Sequence, residues 1–148
     1  MTRARLLERM RAHPYAVQCS VSADGRPQAA TVGVAISDDL EIVFDTLQTT
    51  RKWANATRRP RMALVMGSLD ASASWGLQIE GPVDEPTGRE RERLLQTYLK
   101  AFPDGVDRQA WPGLTYLRVR PEWIRSLDYG VSPPEIVEYD VAGLAALR

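Results

Sequence analysis

The sequence predicts a mainly β fold with a few short helices: a six- to seven-stranded antiparallel split β-barrel with Greek-key-like connections. Three observations lead there. Apolar and polar residues alternate over a succession of short segments. Tight turns rather than crossover helices join the early segments, which suits antiparallel pairing and not a parallel nucleotide-binding sheet. A chain of 148 residues, 44% of them apolar, can bury one core, and closing a sheet on itself is the natural way for so small a chain to remove exposed strand edges.

Residues 3–12 read as an amphipathic helix with Leu6, Leu7 and Met10 on one side. Thr2 is its N-cap and His13-Pro14 ends it. Three strands follow. Tyr15, Val17, Cys19 and Val21 alternate in the first, Ala23-Asp24-Gly25-Arg26 turns the chain, residues 27–36 form the second, and Leu40 to Thr46 the third. Residues 50–58 read as a short helix capped by Thr49 or Thr50 and closed by Arg59-Pro60. Met62 to Met66 is a buried strand, and residues 75–84 another, with Trp75, Leu77, Ile79 and Gly81 on one face. A charged helix spans about 88–101, with Leu94, Leu95, Tyr98 and Leu99 as its apolar stripe. Residues 102–113 are a loop with at most one short turn, since Pro103, Gly105, Pro112 and Gly113 interrupt them. Leu114–Val119 is a strand, and Trp123–Leu127 the last of the barrel. Residues 133–148 are a tail to which no element is assigned. The whole, 1–148, reads as a single domain, with residues 1–14 its N-terminal helical segment.

Composition removes many function classes. Lys and Arg number 19 and so do Asp and Glu, so no basic excess points to nucleic acid. One cysteine, Cys19, excludes an intramolecular disulfide and a four-thiolate metal site, and one histidine, His13, excludes a histidine-rich one. No apolar run nears the length that spans a bilayer, and no signal-peptide core follows Met1, so the expected location is the cytoplasm. Catalytic residues are not identified, no metal is expected, and chemistry, if any, falls to a cofactor.

The most informative segment is Phe44-Asp45-Thr46-Leu47-Gln48-Thr49-Thr50-Arg51-Lys52-Trp53-Ala54-Asn55. A strand delivers the chain to a polar turn and a helix begins there. Free N–H groups at such an end attract an anion. The threonines add hydroxyls, Arg51 a bidentate grip and Lys52 a point charge. Five basic residues and no acid lie between 51 and 61. The alternative reading, that Arg51 and Lys52 are solvated helix residues, stands beside it.

Taken together, Thr50-Arg51-Lys52, Asn55, Arg59-Pro60, Met62 to Val65, Gln78-Ile79-Glu80-Gly81-Pro82-Val83 and Arg120-Pro121-Glu122-Trp123-Ile124-Arg125 resemble, in order and spacing, the FMN-binding split barrels related to pyridoxamine 5′-phosphate oxidase. The resemblance covers roughly residues 5–130. It implies that Arg51 and Lys52, helped by Thr50, bind the FMN phosphate. Phe44, Asp45 and Thr46 would lie along the flavin or ribityl chain, and Ala30, Thr31 and Val32 would line the isoalloxazine. Gln78 would reach the ring or ribityl group, from the other subunit of a homodimer in one arrangement. Core packing or ordinary strand placement is the competing role for Thr31, Phe44, Thr46 and Gln78, and for the four tryptophans. Trp111 is the candidate for a substrate lid or subunit contact. The sequence departs from the oxidases themselves: Ala29 to Val34 holds no Arg or Lys, and the tail from Glu135 to Arg148 holds no His. The resemblance therefore implies an FMN-dependent oxidoreductase acting on an unknown small molecule. The alternatives are a deazaflavin-dependent reductase, with Arg58, Arg59 and Arg61 serving a longer anionic tail, a non-enzymatic flavin-binding or stress-related protein, or a barrel used for assembly.

Overall fold

A computed structural model describes residues 1–67 and 75–147. Its elements run α1 (Arg3–Ala12), β1 (Tyr15–Val21), β2 (Pro27–Gly33), β3 (Ala35–Ile36), β4 (Ile42–Leu47), α2 (Arg51–Arg58), β5 (Arg61–Gly67), β6 (Trp75–Asp84), α3 (Gly88–Ala101), α4 (Gly105–Arg108), β7 (Leu114–Val119), β8 (Trp123–Asp128), β9 (Glu135–Tyr139) and α5 (Val141–Ala146). The strands pair antiparallel in the order β2-β1-β5-β6-β7-β4-β3, with β8 on β6 and β9 on β8. This is the curled split barrel that the alternation predicts.

Four expectations are corrected. The segment 27–36 is two strands, because the chain leaves β1 after Gly33 and joins β4 at Ala35. Between them Val34 N–H bonds the Pro14 carbonyl at 2.8 Å. The strand expected from Leu40 begins at Ile42, since Leu40 sits in a turn at φ 64°. Trp123–Leu127 is not the last strand. The tail forms β9 and α5, held because Tyr139 and Leu144 are buried against the main core; Arg148 lies outside the described residues. The loop 102–113 contains the short helix α4.

β6 belongs to both halves of the barrel. Its Trp75–Glu80 portion pairs β8, while Val83 and Asp84 pair β7. The chain between β7 and β8 follows the same edge, with Arg120 N–H on the Pro82 carbonyl and Glu122 N–H on the Glu80 carbonyl. The corner is Gly81, where a Cβ would stand 2.0 Å from the Arg120 carbonyl oxygen. The main core fills the barrel with Leu6, Met10, Ile42, Phe44, Leu64, Leu77, Ile79, Leu117, Val119 and Ile124. A smaller core beneath α3 joins Val43, Leu94, Tyr98 and Tyr116.

α3 is also tied by charge. Arg118, buried on β7, donates to both carboxylate oxygens of Asp84 (2.9 and 2.6 Å), to Glu41 (3.0 Å) and to Glu90 of α3 (2.7 Å). Arg93 of α3 also reaches Glu41, at 2.6 Å. The outward face of the sheet is different. Thr31, Val17, Val65 and Gln78 form one register row across β2, β1, β5 and β6, and Ala29, Cys19, Ala63 and Glu80 the next. Tyr15, Val17, Val21 and Val65 are exposed there.

Candidate functional site

The end of β4, the turn and α2 form one bonded unit. Thr50 is the N-cap, in extended geometry (φ −83°, ψ 151°). Its hydroxyl donates to the Leu47 carbonyl at 2.9 Å and accepts from Trp53 N–H at 3.3 Å. The buried Thr46 hydroxyl lies 2.9 Å from it. Since the Thr50 proton goes to Leu47, Thr46 is the donor of that pair. Trp53 N–H and Ala54 N–H are thereby taken, by the Thr50 side chain and the Thr50 carbonyl (3.2 Å). The N–H groups of Arg51 and Lys52 remain as the open donors of the helix end. The Arg51 side chain is exposed and that of Lys52 half-buried, and neither makes an ion pair or hydrogen bond among the described residues. Farther along α2, buried Asn55 donates to Ser20 (3.0 Å) and Gln28 (2.9 Å), fixing the helix to β1 and β2. The helix end thus carries two open N–H groups and two cations without an ion-pair partner among the described residues, on a helix held by its Thr50 cap and by Asn55 at mid-length.

The other sequence-designated residues fall in different places. Phe44 is 0% exposed and points into the barrel core. Asp45, one step on, points to the opposite face. There it accepts from Arg108 Nε at 2.9 Å. Ala30 is half-buried and Val32 buried on the inner side of β2, whereas Thr31 is exposed on the outer side. Strand alternation means that a ring on one face meets Thr31, or Ala30 and Val32, but not all three side chains. Gln78 is exposed on β6, three strand spacings or about 14 Å from Thr31 in the same sheet. One chain thus brings together Thr46, Thr50, Arg51 and Lys52, and leaves Gln78 apart from Thr31. Of the tryptophans, Trp53 packs on the main core and Trp75 is buried against His13, while Trp111 is exposed.

Sequence reasoning missed two features beside this unit. Arg108 on α4 joins Asp45, Asp104 (2.6 Å) and the Tyr98 hydroxyl (3.3 Å), so the 102–113 loop is clamped to β4. Burial raises the Tyr98 phenol and the Asp45 charge raises it further, keeping it neutral. Glu85 accepts from Trp53 Nε1 at 2.9 Å and from the Thr115 hydroxyl, tying α2 to β7. Both are long-range pairings that no local pattern announces. Inside the barrel Gln18 is 1% exposed and stands opposite Ala30 in register, and its amide oxygen has no hydrogen-bond partner among the described residues. Among the described residues no cluster of three His, Cys, Asp or Glu could hold a metal, and no helix is long and apolar enough to cross a membrane.

A family model for pyridoxamine 5′-phosphate oxidase matches residues 3–128. The chain belongs to that family. Solved structures agree on the fold. A heme-binding protein from Mycobacterium smegmatis superposes with a TM-score of 0.83 at 14% identity, over 99% of this chain and 61% of that one. A pyridoxamine 5′-phosphate oxidase-related, FMN-binding protein from Nostoc punctiforme gives 0.68 at 16% identity, over 93% and 87%. The heme storage protein HutZ from Vibrio cholerae gives 0.65 at 16% identity, over 82% and 92%. The chain therefore spans under two thirds of the Mycobacterium smegmatis structure. No curated protein matches it by sequence. Within the oxidase family the match ends at Asp128, so β9 and α5 lie beyond the matched region.

Proposed function

We propose that this oxidase-family chain binds FMN and works as an oxidoreductase on a small molecule. The observation that carries the reading is the α2 end, where Arg51 and Lys52 have no ion-pair partner among the described residues and stand beside two open N–H groups on a helix fixed by Thr50 and Asn55. The residues fit the group. Arg51, Lys52 and the helix end would hold the phosphate dianion, with Thr50 acting through the helix it caps. Bound FMN supplies hydride exchange at N5, so no protein acid or base is required. The chain's own contribution is to anchor charge and to exclude water.

The outward face of β2, β1, β5 and β6 supports a homodimer. It is rich in Ala and Val and exposes Tyr15, Val17 and Val65 together. Gln78 lies on this face, so a partner's Gln78 would be the copy that meets the cofactor. A cytoplasmic setting suits a flavoprotein of this size and a reduced Cys19.

Heme is the competing cofactor, because two of the structural neighbours bear its name. The placement of the single histidine favours FMN here: His13 closes α1 and stacks on Trp75 with ring centroids 5.3 Å apart, away from the α2 end. Of the three arginines a deazaflavin tail would use, Arg61 is paired with Glu122 at 2.8 Å and Arg59 donates to the Ala23 carbonyl, which leaves Arg58 alone without a partner among the described residues. The test is titration of the purified chain with FMN, deazaflavin and hemin in parallel. FMN should bind tightest, and an Arg51→Ala/Lys52→Ala double variant should weaken it about 100-fold, as expected for two charge-assisted contacts. Tighter binding of either rival, or an indifferent double variant, overturns the proposal.

A further inference from the structure

A second concavity lies away from the α2 end, between the close of α1, the edge strand β3 and the last turns of α3. It encloses about 370 Å³, within the size range of small-molecule sites. Val34, Ala35 and Ala101 give it an apolar wall, and Arg11, Asp38 and Lys100 stand at its polar side. None of the residues assigned to FMN lines it.

The edge of β3 gives this cleft its direction. Ser37 N–H bonds the Glu41 carbonyl at 3.0 Å, so antiparallel alternation turns the Ile36 peptide groups away from β4. The Ile36 carbonyl is taken by Arg11, through Nε at 3.2 Å and Nη2 at 3.0 Å. The Ile36 N–H faces the same side, where no strand pairs it. Arg11 Nη2 also bonds Asp38 at 2.7 Å, so those two charges cancel. Lys100 has no carboxylate partner among the described residues. The lining thus carries one net positive charge, with Lys100 close enough to act on Asp38, and it includes the Ile36 N–H and the unused Arg11 Nη1 as donors beside an apolar wall.

We propose that this cleft binds a small organic monocarboxylate, its apolar body against Val34, Ala35 and Ala101 and its carboxylate toward Lys100 and Arg11. The inference is independent of the flavin reading. Octanoate is the probe, and 1-octanol the neutral control of equal length. Calorimetric titration of the full chain should show octanoate binding at least about tenfold more tightly than 1-octanol, the worth of one charge-assisted contact. Lys100→Glu should weaken octanoate by a similar factor. Ala101→Trp should abolish binding by filling the cleft. Both residues are exposed, so each variant should keep the wild-type circular dichroism spectrum. The Arg51→Ala/Lys52→Ala variant should bind octanoate as the wild type does. No octanoate binding, equal binding of the alcohol, an unaffected Lys100→Glu variant, or loss of octanoate in the Arg51→Ala/Lys52→Ala variant overturns the proposal.

Discussion

Replacing Thr50 by Val tests the bonded unit at the head of α2 directly. The substitution keeps the branched shape and removes only the hydroxyl. Two losses follow. Trp53 N–H loses its cap acceptor, which costs about 1 kcal/mol. The buried Thr46 hydroxyl loses the partner it reaches at 2.9 Å, for about 1 kcal/mol more. The sum, about 2 kcal/mol, should lower Tm by about 4–8 °C in a domain of this size. Thr50→Ser restores both contacts and should melt within about 2 °C of the wild type. Thermal denaturation followed by circular dichroism reads the difference. The same proteins separate structure from binding. Because the Thr50 proton already belongs to Leu47, the hydroxyl has none to give a phosphate. Thr50→Val should therefore weaken FMN less than the Arg51→Ala/Lys52→Ala pair does. A Val variant that melts with the wild type would refute the capping argument, and one that loses FMN as completely as the double variant would refute the division of roles.

Three further outcomes follow from the same structure. Arg118→Met takes the buried cation away from Glu41 and Asp84, while Arg93 still reaches Glu41, and should cost about 3 kcal/mol in urea denaturation; a loss under about 1 kcal/mol would contradict the network. Hydrogen bonds from Arg118 hold Asp84 below the usual carboxylate range, and a bond from Arg9 does the same for Asp128. A depressed folded pKa stabilises above the unfolded value of 3.8 and stops doing so as pH falls through the folded one. The urea midpoint should hold from about pH 7 to 5 and drop below about pH 4, and an unchanged midpoint at pH 3 would count against both pairs. Val65→Asp places a charge at the centre of the outward sheet face and should convert a dimer to monomer in sedimentation velocity without loss of fold; an undisturbed sedimentation coefficient would move the interface elsewhere.

What the sequence makes legible is local periodicity. The strand 75–84, the helix 88–101 and the strand 114–119 are found where alternation or a helical stripe places them. The cap at Thr50 is legible for the same reason, as a hydroxyl just ahead of a helix. The break between β2 and β3 is not, because Gly33-Val34 looks locally like uninterrupted strand and only the change of partner from β1 to β4 divides it. No element is assigned to the tail because Pro133-Pro134 dominates its start, while the burial of Tyr139 and Leu144 depends on a surface built by distant residues. At the site, Arg51 and Lys52 announce themselves by charge on a neutral chain. The commitment of Asp45 to Arg108 does not, since 63 residues separate the partners. Nor does the inward turn of Phe44, which is a matter of register and not of composition.

The corner at Gly81 constrains how this protein can change. The Arg120 carbonyl occupies the volume a side chain would need, and Pro121 follows at once, its Cα 3.3 Å from the position a Cβ would take. Neither position can drift by itself: an alanine at 81 has nowhere to go unless the backbone at 120 and 121 retreats, and that retreat would unseat β8 and everything docked on it. Variation in homologous chains should therefore arrive at these sites as paired exchanges, and a designer wishing to widen the barrel has to begin there.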